Sequence, residues 1–231
     1  MLPDYDAFKS RADAVRARIA RACEQAGRRP DTVELLAVTK FFPAQAVEFA
    51  ARYGLRAVGE NRVQEGVEKR AQTSAAISWE LIGHLQSNKA RLAAEHFDRV
   101  QSVDSAKLLR VMDRVAAELG KTQAVLLQVN SGHDPAKSGV EPDEAEALLM
   151  AALGHKNIRV DGLMAIAPLS DDPSVARRAF ASLREIRDRL RSRSGSALAE
   201  LSMGMSGDME AAVQEGSTIV RVGTALFGER S

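Results

Sequence analysis

The chain has 231 residues, enough for one large domain or two small ones and for a sizeable buried core. Its 32 basic and 31 acidic residues nearly balance, so the total charge implies no polyanionic partner such as a nucleic acid. The single cysteine, Cys23, excludes an intramolecular disulfide and favours a reducing compartment. The sequence shows neither a signal peptide nor an apolar run of the roughly 20 residues that span a bilayer. We therefore expect a soluble, cytoplasmic protein without a membrane partner.

The first predicted element is a long amphipathic helix. Its apolar stripe, with spacings of three and four residues, consists of Phe8, Ala12, Val15, Ile19 and Cys23. Gly27 and Pro30 are typical of the end of such a helix. Because Cys23 lies on the stripe, we interpret it as a core residue rather than a nucleophile.

An alternation of strands and helices follows this helix. The strand candidates are residues 34–39, 56–58, 79–82, 99–103, 124–129, 160–164, 197–202 and 218–222. The helix candidates are residues 43–53, 61–71, 88–94, 106–119, 142–153, 175–192 and 208–215. Pro43 and Pro142 suit the first turn of a helix, where a missing N–H costs little. This alternation predicts an α/β fold, a single (β/α)8 TIM-type barrel over residues 1–231 with an extra amino-terminal helix; a doubly wound open sheet is the alternative.

Lys40 lies where the first strand candidate opens into a loop. The preceding run from Leu35 to Val38 is continuously apolar, which is typical of a strand buried on both faces. In α/β proteins, ligands bind at the carboxyl ends of such strands. Partial burial of a lysine favours its neutral amine, which can form a Schiff base with an aldehyde. The alternative is a solvated lysine that merely ends the strand.

Polar or glycine-rich segments also follow the later strand candidates. They are residues 59–65, 83–89, 130–132 with 137–139, 162–164, 202–208 and 221–224. In a barrel these strand ends meet on one face, so we expect the segments to form one site with Lys40.

The last two of these segments indicate a phosphate site. Glycines allow backbone N–H groups to approach an anion, and barrels often bind phosphate after strands seven and eight. Ser206 precedes the helix candidate that starts near Asp208 and is a candidate cap for it. Asp208 and Glu210 oppose a bound phosphate unless their side chains point away. A capped helix and a tight turn without a ligand are the alternative.

Arg221 and His84 are the remaining candidate residues. Arg221 lies inside the apolar run of residues 219–222 and needs a partner there, either a ligand's ring nitrogen or phosphate, or a carboxylate. His84 stands at a glycine-flanked strand end and is weak evidence by itself. The histidines lack metal-ligand spacing, so we predict no metal site, and neither a dinucleotide fingerprint nor a P-loop is present.

Together these segments resemble the pyridoxal phosphate homeostasis protein family, also called the pyridoxal phosphate-binding protein family. The resemblance runs from about Leu35 to Arg230 and rests on the segments at residues 36–40, 59–65, 82–89, 137–139, 162–166, 201–206 and 216–228. Two departures are visible. Phe41 and Phe42 follow the lysine where the family often has polar residues, and Gly207 stands where an acidic residue is common.

The resemblance implies a barrel like the amino-terminal domain of alanine racemase, without that enzyme's second domain. It also implies pyridoxal 5′-phosphate held as a Schiff base on Lys40. Ser206, Gly223 and Thr224 would bind the phosphate, and Arg221 would approach the pyridine nitrogen. The residues implied to line the cofactor pocket are Asn61, Met164 and Ser202.

The expected function is non-catalytic binding of pyridoxal phosphate in intracellular vitamin B6 homeostasis. An arginine at the pyridine nitrogen disfavours its protonation, so the ring is a weaker electron sink, and no opposing acid–base residue is evident. We expect a monomer that passes the cofactor to recipient apoenzymes. The alternative is a small pyridoxal phosphate-dependent amino-acid racemase, with His84 as the candidate base. A cofactor-free scaffold would leave the convergence of the segments unexplained.

Overall fold

A computed structural model describes residues 2–229 and shows a closed barrel of parallel strands. The strands are β1 (Glu34–Val38), β2 (Ala57–Glu60), β3 (Ser78–Leu81), β4 (Arg99–Val103), β5 (Gln123–Gln128), β6 (Ile158–Met164), β7 (Glu200–Ser202) and β8 (Ile219–Val222). Each strand pairs with the next in the chain, and β8 pairs with β1 to close the barrel. The predicted (β/α)8 barrel is confirmed, and the open-sheet alternative is wrong. Residues 1, 230 and 231, at the ends of the expected domain, lie outside the described residues.

Helices surround the barrel. They are α1 (Tyr5–Gln25), α2 (Gln45–Tyr53), α3 (Val63–Ala71), α4 (Ala90–His96), α5 (Ala106–Glu118), α6 (Ala145–Leu153), α7 (Pro173–Ser194), α8 (Met209–Gln214) and α9 (Thr224–Phe227), with single 3-10 turns at Pro30–Thr32 and Ser87–Lys89. Within residues 2–229, no helix is both long enough and apolar enough to cross a bilayer.

The two prolines expected in first helical turns lie before the helices instead. Pro43 precedes Ala44, the capping residue of α2, and Pro142 lies in the turn that precedes Glu144, the capping residue of α6. Proline fits the entry to a helix as well as its first turn, because neither position needs its N–H. The sequence pattern therefore identified these helices but placed their starts too early.

The predicted stripe of α1 is buried against the barrel. All five of its residues, from Phe8 to Cys23, are at most 4% exposed. The ring of Phe8 stacks on that of Phe227 in α9 with 5.2 Å between centroids, and α1 also packs against α8. Burial raises the pKa of the Cys23 thiol, which agrees with a core role. The amino-terminal helix thus supports the two helices that flank β8.

The barrel interior contains a small apolar cluster and a set of polar side chains. The apolar residues are Leu36, Val38, Ala57, Ile82 and Ile219. Ser202 on β7 donates a hydrogen bond to Gln101 on β4, and these strands are not neighbours. A bond between such strands crosses the interior of the barrel. Polar contacts therefore connect opposite walls beneath the carboxyl-terminal face.

Candidate functional site

A cavity of about 520 Å³ opens at the carboxyl ends of the strands. This volume falls within the roughly 300–1,000 Å³ that is common for small-molecule sites. Six of the eight residues predicted from the sequence line it: Lys40, Asn61, Ser206, Arg221, Gly223 and Thr224. They follow β1, β2, β7 and β8, so these four strand ends meet at one cavity. The predicted segments at residues 130–132 and 162–164 contribute no residue to its described lining.

The backbone before Lys40 is held by a buried ion pair. The Lys69 ammonium on α3 donates to the Thr39 carbonyl oxygen at 2.6 Å and to Glu60 Oε1 at 2.7 Å. Thr39 Oγ1 donates to the same carboxylate oxygen at 2.7 Å. Burial raises the pKa of the Glu60 carboxyl, and the Lys69 ammonium opposes this effect. Lys40 itself is half-buried at the cavity wall.

The backbone after Lys40 is held by the same ammonium through a second carboxylate. Lys69 Nζ donates to Glu65 Oε1 at 2.8 Å, and that oxygen also accepts the backbone N–H of Phe41. Phe41 has a φ of +66°, in the left-handed region that residues with a side chain seldom adopt. The Glu60–Lys69–Glu65 cluster, which we call the lysine clamp, therefore fixes the backbone on both sides of Lys40.

Arg221 places a buried guanidinium at the cavity. Arg221 is 4% exposed. Its Nη1 donates to Ser202 Oγ at 2.8 Å, and its Nη2 donates to the Ala165 carbonyl oxygen at 2.8 Å. Burial lowers the pKa of Arg221 to about 10, while the Asp208 carboxylate acts in the opposite direction. The side chain is still cationic at neutral pH. Among the described residues both hydrogen bonds go to neutral oxygen atoms, so neither is to the carboxylate that was the alternative to a ligand.

The loop after β7 differs from the sequence prediction in its capping. Ser206 does not cap α8; its Oγ accepts the backbone N–H of Ala225 in α9 at 3.4 Å. The capping position of α8 is occupied by Asp208, whose Oδ1 accepts the Met205 N–H at 2.5 Å. The prediction that Ser206 caps α8 was wrong, because its hydroxyl instead binds a backbone N–H of α9, which is distant in sequence.

Glu210, in the first turn of α8, pairs with α1. Arg18 on α1 donates to both carboxylate oxygens of Glu210, at 2.6 and 3.0 Å, and to the Ser206 carbonyl oxygen at 3.2 Å. The Glu210 carboxylate is therefore paired with a cation of α1. Arg18 joins α1 to the loop in which the sequence predicts a phosphate site.

His84 also lines the cavity. Its Nδ1 lies 3.4 Å from Asp104 Oδ2, and its side chain is 55% exposed. The contact orients the imidazole but leaves it open to solvent. The structure thus places the one histidine singled out from the sequence at the site, on the loop after β3.

Met164 and Ser202 lie behind the cavity wall. Both are fully buried, and they are register partners on β6 and β7. Neither belongs to the set of described residues that line the cavity. Ser202 instead contacts Arg221, which does line the cavity. Direct contact of Met164 or Ser202 with a cofactor stays a prediction.

Comparison with known proteins assigns the chain to a family. The family model described as alanine racemase, N-terminal domain, matches residues 11–231. A pyridoxal phosphate homeostasis protein from Pseudomonas aeruginosa is 46% identical over 218 residues, covering 94% of this chain and 93% of its own. One from Aquifex aeolicus is 40% identical over 221 residues, covering 95% and 97%. The chain belongs to the pyridoxal phosphate homeostasis protein family.

Solved structures agree with this membership. PipY from Synechococcus elongatus PCC7942, solved with PLP bound, has a TM-score of 0.85 and 40% identity, covering 96% of this chain and 100% of PipY. An alanine racemase from Clostridium difficile 630 has a TM-score of 0.78 at 16% identity, covering 97% of this chain and 57% of the racemase. The second likeness shows the barrel fold alone.

The lysine clamp is the part of the site that sequence reasoning missed. Glu60 and Glu65 lie inside a segment that the family resemblance uses, but no role follows for them from the segment itself. Lys69 lies on α3 with a residue exposure of only 6%. A buried lysine needs an acidic partner, and the tertiary structure shows that Lys69 has two. The spacing of four residues between Glu65 and Lys69 was the available signal.

Proposed function

We propose that this protein binds pyridoxal 5′-phosphate as a Schiff base on Lys40 and acts in vitamin B6 homeostasis without classical catalytic turnover. The observation that carries the proposal is the placement of Lys40 and Arg221 in one cavity together with Ser206 and Thr224. An amine, a buried cation and hydroxyls after two neighbouring strands complement an aldehyde, a ring nitrogen and a phosphate, respectively.

The residues present fit each part of this cofactor. Lys40 supplies the primary amine for the aldehyde carbon. Ser206 lies on the loop after β7, and Gly223 and Thr224 form the start of α9 directly after β8, the position at which barrels commonly bind phosphate. A Cβ on Gly223 would lie 3.3 Å from the Val38 carbonyl oxygen, so glycine keeps this wall open. Membership of the family and the PLP bound in PipY support the same cofactor.

Arg221 limits the chemistry at this site. Pyridoxal phosphate, when bound, supplies a ring that can accept electrons from a substrate, and protonation of its nitrogen strengthens this property. A guanidinium has only donors, so beside the ring nitrogen it favours the unprotonated form. Arg221 therefore weakens the electron sink, which favours holding the cofactor over carbanion chemistry.

The proposal extends to the protein's setting in the cell. We propose a cytoplasmic monomer, with residues 1–231 as one domain, that passes its cofactor to recipient apoenzymes. Reactivation of an apoenzyme faster than this protein loses its cofactor to buffer alone, measured after mixing the purified components, would support delivery. A rate equal to that spontaneous loss would contradict it.

The test is the absorption spectrum of the purified protein after addition of pyridoxal phosphate, followed by borohydride reduction and peptide mapping. We expect a Schiff-base band trapped on the peptide that contains Lys40 and lost in Lys40→Ala. Lys137 also lines the cavity, so a label that survives in Lys40→Ala and disappears in Lys137→Ala would overturn the assignment. Lys89→Ala serves as the control, because Lys89 contacts Gln64 outside the cavity-lining set of described residues.

A racemase is the second candidate, favoured only by the His84–Asp104 contact at the cavity. It requires a base on the cofactor face opposite Lys40. We expect negligible racemisation of amino acids by the loaded protein. Racemisation at ordinary enzyme rates that disappears in His84→Ala, while the cofactor band remains, would overturn the non-catalytic proposal and show that the protein is a racemase.

Arg18→Ala is expected to weaken cofactor binding without removing it. The substitution deletes the 3.2 Å bond to the Ser206 carbonyl and removes the two hydrogen bonds that pair Glu210 with α1. Loss of one such bond is worth about 1 kcal/mol, or about a fivefold rise in the dissociation constant measured by fluorescence titration. Lys9→Ala, at an exposed position of the same helix where the side chain pairs with Asp13, should leave the constant unchanged. An equal rise in both variants would contradict a specific role for Arg18.

A further inference from the structure

A chain of hydrogen bonds leads from Arg221 into the barrel interior. Arg221 Nη1 donates to Ser202 Oγ at 2.8 Å, and Ser202 Oγ donates to Gln101 Oε1 at 2.6 Å. Gln101 Nε2 then donates to the Glu80 carboxylate. Glu80 and Arg221 are each 4% exposed, and the two residues between them are fully buried. We call these four residues the barrel relay; they come from β8, β7, β4 and β3.

The barrel relay has only one possible polarity. A guanidinium can only donate, and an ionised carboxylate can only accept. Glu80 is paired with Arg99, which donates to its two oxygens at 2.6 and 3.0 Å. Because both ends are fixed, the Gln101 amide must turn its NH₂ toward Glu80 and its oxygen toward Ser202. The single hydroxyl proton of Ser202 is then committed to Gln101, so its oxygen accepts from Arg221.

A second bond fixes the plane of the guanidinium. Nη2 of Arg221 donates to the Ala165 carbonyl oxygen at 2.8 Å. Two anchors on different nitrogens prevent rotation of a planar group, whereas one would allow it. Among the described residues these bonds use two of the five N–H donors of Arg221, which itself lines the cavity. The remaining N–H donors of Arg221 keep a fixed orientation only while the Ser202 oxygen accepts from Nη1, which requires the Ser202 proton to point toward Gln101.

We propose that Gln101, anchored by Glu80, is a positioning residue that orients Arg221 toward the ring nitrogen of pyridoxal phosphate, an inference that rests on the function proposed above. Gln101 is not among the described residues that line the cavity, so it acts through Ser202. Without the Gln101 oxygen, the Ser202 hydroxyl is free to turn its proton elsewhere, and Arg221 loses one of its two anchors.

The test compares Gln101→Leu with Gln123→Leu, a matched control. Gln123 is also a fully buried glutamine on a barrel strand, but its amide donates to the carbonyl oxygens of Phe97 and Asp98 rather than to the barrel relay. Both variants lose a buried amide, so a general cost of that loss appears in both. Each is loaded with pyridoxal phosphate labelled with ¹⁵N in the ring, and the nitrogen resonance is followed against pH.

In the wild-type protein and in Gln123→Leu we expect the resonance of an unprotonated, hydrogen-bonded ring nitrogen that does not change between pH 6 and 9. In Gln101→Leu we expect the resonance to shift and to titrate within that range, and the dissociation constant to rise about tenfold. The Schiff-base band should survive, because Lys40 is not part of the barrel relay. If Gln101→Leu does not fold, Ser202→Ala removes the acceptor of Arg221 and is expected to show the same titration.

Two failures are distinguishable. Absence of the Schiff-base band in the wild-type protein would overturn the proposed function and this inference with it. A normal band in the wild-type protein, with Gln101→Leu and Gln123→Leu giving identical resonances and dissociation constants, would overturn only the positioning role of Gln101.

Discussion

Replacement of Lys69 by methionine lowers the free energy of unfolding by about 3–5 kcal/mol, the usual cost of leaving a buried charge without its partner. The side chain of Lys69 is 8% exposed and that of Glu60 is fully buried. Methionine fills a similar volume but carries no charge. Within residues 2–229, the bond that then remains to the Glu60 carboxylate comes from the Thr39 hydroxyl. Urea unfolding of the two proteins at neutral pH measures the difference.

The same substitution is expected to weaken cofactor binding. Lys69 donates to the Thr39 carbonyl oxygen, and it also holds Glu65, which accepts the Phe41 N–H. Both neighbours of Lys40 therefore lose support in Lys69→Met. Because Phe41 has a strained positive φ, we expect the backbone around Lys40 to relax to a less strained conformation once the lysine clamp is broken. A rise in the cofactor dissociation constant, larger than that of any surface lysine variant, would show the loss of positioning.

The stability deficit of Lys69→Met should depend on pH with a definite sign. Burial already holds the pKa of Glu60 above its ordinary value, and removal of the ammonium raises it further. An acid whose folded-state pKa exceeds its unfolded-state value stabilises the folded protein when it is protonated. The deficit is therefore complete above the folded-state pKa and shrinks as the pH falls toward about 4.3, the unfolded value. Unfolding curves at pH 8 and pH 5 measure this change.

Two further variants decide whether the buried charge is the cause. The double variant Lys69→Met with Glu60→Gln removes the fully buried charge of Glu60 together with its partner and leaves only the part-exposed Glu65 carboxylate of the lysine clamp. It should therefore recover most of the lost stability. Lys89→Met, at a partly exposed lysine, should change the free energy of unfolding by no more than about 0.5 kcal/mol. A double variant as unstable as Lys69→Met alone would contradict the charge explanation and indicate a loss of packing.

The parts of this fold that the sequence predicted are those encoded by local patterns. Eight apolar runs separated by amphipathic segments defined the barrel, and the position of Lys40 followed from the run before it. Strand ends were less certain: the seventh candidate began at Ala197, whereas β7 begins at Glu200. Leu198 has a φ of +37°, which a strand does not accommodate, and nothing in its side chain indicates this.

The parts that the sequence did not predict depend on contacts between distant residues. The four residues of α9 are too few for a helical period to be recognised. The partner of Ser206 lies 19 residues further along the chain, so the local cap on α8 was the simpler interpretation. The polar residues of the barrel relay lie on four separate strands, and no pattern along the sequence connects them. Only closure of the barrel brings them together.

A final prediction concerns Gly83, a glycine that the sequence grouped with possible ligand-binding loops. Gly83→Ala is expected to lower the free energy of unfolding by about 3 kcal/mol, at the upper end of typical overpacking costs. A Cβ at this position would lie 2.1 Å from the backbone carbonyl oxygen of Asn61. That oxygen belongs to the backbone just after β2, so it can retreat only if the end of the strand moves.

The displacement also reaches the cavity, because Asn61 and Gly83 both line it. We therefore expect Gly83→Ala to bind pyridoxal phosphate at least tenfold more weakly in a fluorescence titration, whereas a purely local clash would affect stability alone. Gly207→Ala is the control for stability: a Cβ added at Gly207 would meet no atom within 4 Å, and the unfolding free energy should change by less than about 0.5 kcal/mol. Wild-type stability in Gly83→Ala would mean that the end of β2 is free to move. In that case Asn61 would be held too loosely to shape the cofactor pocket. Close packing against Asn61 would then not be the reason for a glycine at position 83.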